Sequence, residues 1–206
     1  MSVARSRGLT MLLGGVLSVA TACGSGGNSG PASTSSSPAA QSSSVAATPT
    51  TTAAGSAPLG DYTYLLIQAS DVGPDFTPVG APVQNPGDAA GAGQSFGNPN
   101  RTRTVNDTVF VSIDPTVALQ SESDYLAAFP KYVASAPQPL EIGSNGWIGV
   151  GKSPDKSKAV TYLVFAEGKA VVTIEFDSAT DDPVPQDLVL DVARKQDGAV
   201  KSRLLI

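Results

Sequence analysis

The amino-acid sequence predicts an α+β fold: an antiparallel sheet packed by two or three helices, preceded by a signal peptide and a disordered linker. Three observations lead there. Residues 142–150, 159–165 and 169–176 read as three successive strands, the last two joined by the tight-turn triplet Ala166-Glu167-Gly168. The chain then closes on a helical pattern from Val184 to Leu204. Before residue 61, in contrast, the only charged residues are Arg5 and Arg7, and an apolar run gives way to Ser, Thr, Gly, Ala and Pro.

Met1 to Arg7 carries two positive charges and no negative one, and the 14 residues from Leu9 to Ala22 are uncharged, as in the n-region and h-region of a secretory signal. A bilayer span needs about 20 apolar residues. The shorter run here is also interrupted by Gly14, Gly15 and Ser18, which predicts a cleaved signal peptide over 1–22 in place of a permanent span. It ends in Val19-Ala20-Thr21-Ala22-Cys23-Gly24, which resembles the lipobox of bacterial prolipoproteins. The resemblance implies cleavage before Cys23, lipidation of Cys23 with palmitate-type acyl chains, and anchoring to the extracytoplasmic face of the cell membrane. Cys23 is the only cysteine of the chain. An unpaired thiol is a liability in an oxidising compartment, and acylation accounts for its presence. Two or more acyl chains at one site make a lasting anchor.

Gly24 to Gly60 is a stretch of 37 residues with no charge and no aromatic, and 15 of them are Ser or Thr. Val45 and Leu59 are its only large aliphatics, so it cannot bury enough apolar surface to offset its ordering entropy. Residues 23–60 are therefore expected to form the lipidated cysteine and a disordered tether. A flexible coil of this length spans roughly 35 Å root-mean-square. The Ser/Thr/Pro/Ala mixture resembles the O-glycosylated linkers of actinobacterial envelope proteins, and a bare low-complexity linker reads the same way.

Residues 61–206 are expected to form a single α+β domain, long enough to bury about two-thirds of its unfolded surface. Tyr62 to Gln68 is a short apolar stretch, after which Ser70 can cap one helical turn that Gly73-Pro74 ends. Phe76 to Val83 predicts an irregular edge strand limited by Pro78 and Pro82, and Gln84 to Asn100, dense in Gly, Asn and Pro, a long loop. The alternation Val109, Val111, Ile113 predicts a strand buried on one face. Ser121-Glu-Ser-Asp124 matches a capping box, followed by Leu126, Phe129 and Val133 on one helical face, with Pro130 shortening or kinking the helix. In the C-terminal helix Pro185 suits the first turn and Asp187 the positive end of the dipole. Arg194, Lys195, Lys201 and Arg203 lie toward the negative end, and Leu188, Val192, Ala199 and Leu204 supply a core-facing stripe.

Charge and composition exclude several functions. Loss of Arg5 and Arg7 with the signal takes the formal charge from −5 to −7, so the mature chain offers no basic face for nucleic acid or anionic headgroups. Histidine is absent, which removes Ser-His-Asp and Cys-His catalysis and every His-containing metal site.

Four patterns suggest chemistry and are weighed against plainer readings. Gly146-Trp-Ile-Gly-Val-Gly151-Lys152-Ser153 fits the phosphate-binding G-x-x-x-x-G-K-[ST] pattern, but that loop must open into a helix, and Pro154 with a strand soon after leaves no room for one. A glycine-rich strand ending in a turn is the expectation, with Trp147 in the core or lining a groove. Ser153-Pro-Asp-Lys156 fits S-x-x-K, which requires serine and lysine on one helical turn, and no K-T-G triplet accompanies it. Asp177, Asp181 and Asp182 could hold a cation, yet their position between a strand and a helix suits a solvated turn better. Tyr62, Tyr64, Phe76, Phe96, Trp147 and Tyr162 could line an apolar pocket, but aromatics at these spacings are more often plain core.

The plan of lipobox, tether and small α+β domain resembles the cell-envelope lipoproteins of mycobacteria and related actinobacteria. Leu65-Leu-Ile-Gln-Ala-Ser-Asp-Val-Gly73 is similar to the opening of extracellular sensor domains that some of those proteins share with receptor kinases. The anchor, the tether and the lack of any catalytic constellation lead to the expectation of a non-enzymatic, surface-anchored lipoprotein that binds an envelope ligand or a partner protein, without nucleotide, metal or other cofactor. The alternative is a carrier of lipid in an apolar cavity.

Overall fold

The structure, a computed structural model, describes residues 55–204; the signal peptide, Cys23 and most of the expected linker lie outside the described residues. The fold is an antiparallel sheet of eight strands with three α-helices. Strands are β1 (Thr77–Pro78), β2 (Val83–Gln84), β3 (Gly91–Gly97), β4 (Arg103–Val111), β5 (Gln138–Leu140), β6 (Asn145–Lys152), β7 (Ala159–Glu167) and β8 (Ala170–Ser178). Helices are α1 (Ala69–Val72), α2 (Pro115–Ala128) and α3 (Gln186–Arg203). The sheet runs β1-β3-β4-β8-β7-β6-β5, with β2 also on β3.

The two faces of the sheet are covered by different helices. Val105, Val109, Leu163, Phe165, Val172, Ile174 and Phe176 point to one face and meet Val189, Val192, Ala193, Ala199 and Val200 of α3 together with Leu65 and Ile67. The alternate residues Val160, Tyr162, Val164 and Val171 meet Ala118 of α2 and Phe129 and Val133 just beyond it. Burial on both faces explains why β7 reads as an unbroken apolar run. Gln196, fully buried in α3, accepts from Ile67 N–H at 3.0 Å and donates to Leu65 C=O at 2.9 Å, which ties the N-terminal segment to the last helix. Asp107 is buried in the same layer, opposite Ile174 and Gln94, with no well-formed hydrogen bond to either oxygen. Burial pushes its carboxyl up to about 8 against a weaker pull from the Ile67 amide.

Several sequence expectations are corrected. The stretch 84–100 is not one long loop: Gly91–Gly97 forms β3, paired along its length with β4. Its buried Ala92, Gln94 and Phe96 alternate with Gly and Ser, so a strand signal is present but weak. Gly91 is needed there, because its φ is +156° and a Cβ would lie 2.2 Å from the Val109 carbonyl. The central helix begins six residues before Ser121: Asp114 caps it by accepting from Val117 N–H at 2.9 Å, with Pro115 opening the first turn. Ser121 instead sits mid-helix, donating to the Val117 carbonyl. The predicted shortening at Pro130 holds, since α2 passes into a 3-10 turn at Phe129–Lys131.

The strand expected over 142–150 is β6, which starts later at Asn145 and runs on to Lys152; the turn at Gly143 joins it to the short β5 that the sequence did not suggest. β4 ends at Val111, so Ile113 is 60% exposed where a buried residue was expected. Pro185 stands just before α3 and not within its first turn, and the α3 stripe also includes Val189, Ala193, Gln196 and Val200. Residues 55–60, placed in the linker on composition, pack on the domain. Ala57 N–H donates to the Val111 carbonyl at 2.9 Å, Ile113 N–H donates to the Gly55 carbonyl, and Leu59 lies against the core.

Candidate functional site

Antiparallel pairing brings three separate segments to one end of the sheet, and α2 adds a fourth. Arg103 and Ala159 both pair with Ser178, Lys152 pairs with Ala159, and Gly97 with Thr104. The β3–β4 turn, the β6–β7 turn and the end of β8 are therefore neighbours. α2 starts after β4 and runs back toward this end, so Lys131 and Tyr132 of the following turn stand beside them.

On the α2 face two cross-strand rows form the floor of a cleft. Thr104, Asp177 and Val160 make one, Asn106, Glu175 and Tyr162 the other. Lys158, just ahead of β7, donates to Asp177 Oδ2 at 2.6 Å. Asp177 Oδ1 is buried, the whole Asp177 side chain is only 10% exposed, and the Glu175 carboxyl lies within hydrogen-bonding reach of it. Burial, then the adjacent Asp177, pushes the Glu175 carboxyl up to about 7, with Lys158 opposing. The hydrogen bond from Lys158 to Asp177 in turn raises Lys158 above the ordinary lysine range.

Two depressions, about 190 and about 290 Å³, share Ser157, Lys158 and Asp177. Lys131, Tyr132, Ser153, Asp155 and Glu175 also line the first; Arg101, Thr102, Thr104 and Ser178 also line the second. Tyr132 stacks on Tyr162 at 4.3 Å between centroids and 2° between planes, and Phe129 meets Tyr162 edge-on. Packing thus fixes the Tyr132 ring at the cleft edge.

The sequence patterns resolve here. Gly146–Lys152 is strand β6, and Ser153 enters a turn with Lys156 at φ +63°, so no helix follows the glycines. Gly149 makes room for the helix side: a Cβ there would lie 2.4 Å from Phe129 Cε1. The Ser153 hydroxyl donates to Asp155, as does that of Ser157. These bonds hold Asp155 down to about 2, and they leave no serine–lysine pair of the catalytic kind. Asp177 and Asp182 are taken by Lys158 and Arg103 in ion pairs of 2.6 and 2.8 Å, and no group of three His, Cys, Asp or Glu among the described residues is arranged to hold a metal. The six aromatics divide between layers: Phe96, Tyr62 and Phe76 belong to the α3 side, Trp147 and Tyr162 to the α2 side, and Tyr64 is half exposed. They line no common pocket.

No protein-family model and no curated protein matches the sequence. The fold is similar to that of the extracellular domain of PknH from Mycobacterium tuberculosis, with a TM-score of 0.51 at 13% identity over 68% of this chain and 95% of that one. At this identity the likeness is one of fold. The stretch 65–73, which suggested such domains, forms the turn held by Gln196 and the short helix α1. No helix of the described residues is long and apolar enough to cross a membrane.

Sequence reasoning missed the cleft residues Tyr132, Lys158 and Glu175. Each is ordinary in its local sequence, and only the register of β7 on β8 and the packing of the turn after α2 set them together.

Proposed function

We propose that this chain is a lipid-anchored, extracytoplasmic binding protein without catalytic activity, which engages an envelope ligand or a partner protein through the cleft at the Asp177 end of the sheet. The observation that carries the reading is the wall of that cleft. Asp177 is buried with one oxygen held by Lys158, beside a half-buried Glu175 whose carboxyl it hydrogen-bonds and a packed tyrosine ring. Two neighbouring carboxyls sharing one lysine in the wall of a cleft, one of them pushed up by burial and by the other, are a mark of a binding site. The fold likeness to an extracellular domain, the apolar run ahead of Cys23 and the 37 neutral residues beyond it support an address outside the cytoplasm. In this reading 1–22 is removed, Cys23 carries the acyl chains, and a tether leads from it to a single folded domain.

The depressions at the cleft are open and below the roughly 300–1,000 Å³ of drug-sized ligand pockets. This favours surface recognition over carriage of a lipid.

The test has two parts. Cys23→Ala should shift the full chain from the membrane fraction to the medium or leave the precursor uncut; an unchanged membrane fraction refutes the anchor. Binding of the full chain to isolated cell-envelope fragments should fall about tenfold with Tyr132→Ala. Envelope binding that persists unchanged places recognition elsewhere on the molecule.

A further inference from the structure

The chemistry of the cleft wall points to the class of ligand, and we infer that it takes a neutral saccharide; this rests on the cleft reading above. The charges around it are balanced. Lys131, Lys158 and Arg101 face Asp155, Glu175 and Asp177 across the two depressions. An anionic ligand would meet the buried carboxylate of Asp177, and a cationic one would compete with Lys158 for it while approaching Lys131. A ligand with no net charge but many hydroxyls escapes both penalties.

Hydroxyl groups donate and accept at once, and the wall supplies both kinds of partner. The carboxyl groups of Asp177 and Glu175, which line the depressions side by side, supply acceptors. The ammonium groups of Lys131 and Lys158 are donors, the Thr104 hydroxyl serves either way, and the Ser157 hydroxyl, whose proton goes to Asp155, accepts. Tyr132 adds a flat apolar surface at the cleft edge, its ring pinned in parallel on Tyr162. The C–H face of a sugar ring packs on such a surface while its equatorial hydroxyls reach the polar groups around it. Two adjoining depressions that share one wall suit two neighbouring sugar units better than one compact molecule.

The experiment titrates the full chain, ¹⁵N-labelled and purified in detergent, with maltotetraose, cellotetraose and chitotetraose, and separately with spermine and with inorganic phosphate. The expected result is a saturable shift of the amides of Tyr132, Ser157, Lys158 and Asp177 with at least one oligosaccharide and with neither charged probe. Tyr132→Ala and Ser157→Ala should each weaken that binding about tenfold while the α3 amides stay in place, which separates loss of the site from loss of the fold. Shifts of these amides by spermine or phosphate and by no sugar overturn the saccharide class and leave the cleft as the binding site. Silence from all five probes overturns the saccharide proposal, and the cleft itself falls only if envelope binding also survives Tyr132→Ala.

Discussion

Lys158 grips one oxygen of Asp177 at 2.6 Å while the other lies buried in the cleft wall, so one lysine serves the neighbouring carboxyls of Asp177 and Glu175. The lysine is 54% exposed and the aspartate 10%, which places the pair between a surface and a buried ion pair. Lys158→Met should destabilise the domain by about 1–2 kcal/mol, because the aspartate keeps its burial and loses its counter-charge. Urea unfolding measures this, and a change within a few tenths of a kcal/mol would show that the pair is fully screened. Asp177→Asn should bring the Glu175 titration, followed by NMR, down from about 7, since one of the causes raising it is removed.

The buried acid Asp107 makes a pH prediction. Its folded-state pKa of about 8 lies above the unfolded value near 3.9, so between these limits the folded chain binds more protons than the unfolded one. Stability should therefore fall as pH rises from about 4 to about 8 and level off above, with Glu175 adding a smaller fall that ends near 7. Asp107→Asn should flatten most of this slope and make the domain more stable than the parent at pH 9, by an amount on the order of a few kcal/mol. Thermal unfolding from pH 5 to 9 checks both points. A parent stability that rises over this range would contradict the burial of an uncompensated carboxyl.

Two glycines should respond in opposite directions to alanine. At Gly149 the new methyl would lie 2.4 Å from Phe129 Cε1 and 3.0 Å from Val133 Cγ1, so Gly149→Ala should cost about 1–3 kcal/mol and disturb the Tyr132–Tyr162 stack through Phe129. At Gly198, inside α3, nothing lies within 4 Å of the place a methyl would take, and Gly198→Ala should stabilise by about 0.5–1 kcal/mol. Denaturation midpoints of the two variants measured side by side give the comparison.

Gln196→Leu removes one donor and one acceptor from a fully buried site and leaves Ile67 N–H and Leu65 C=O unpaired. The expected loss is about 2–4 kcal/mol, from roughly 1–3 kcal/mol for each orphaned group offset by the added apolar contact. Amide hydrogen exchange at Ile67 should accelerate more than that of the α3 amides. Equal acceleration everywhere would mean that the segment 65–73 opens only with the whole domain.

What the sequence by itself determined is local. The β7–β8 hairpin, the α3 helix with its charge polarity, the end of α2 at Pro130 and the absence of histidine chemistry follow from periodicity, capping and residue inventory, which neighbours in the chain impose on one another. Even there Asp114-Pro115, a sound helix start, competes with the later Ser121 pattern, because a capping box is as legible in mid-helix as at its end. Tertiary structure alone decided that Gly91–Gly97 is a strand, since β4 supplies the pairing that its glycines and serine do not advertise. It also decided the cleft. Residues near 104, 132, 158 and 175 lie in four distant parts of the chain, and their meeting depends on long-range register. A shift of β8 by one residue would turn Glu175 and Asp177 into the α3 core, because alternate residues of a strand face opposite sides of the sheet.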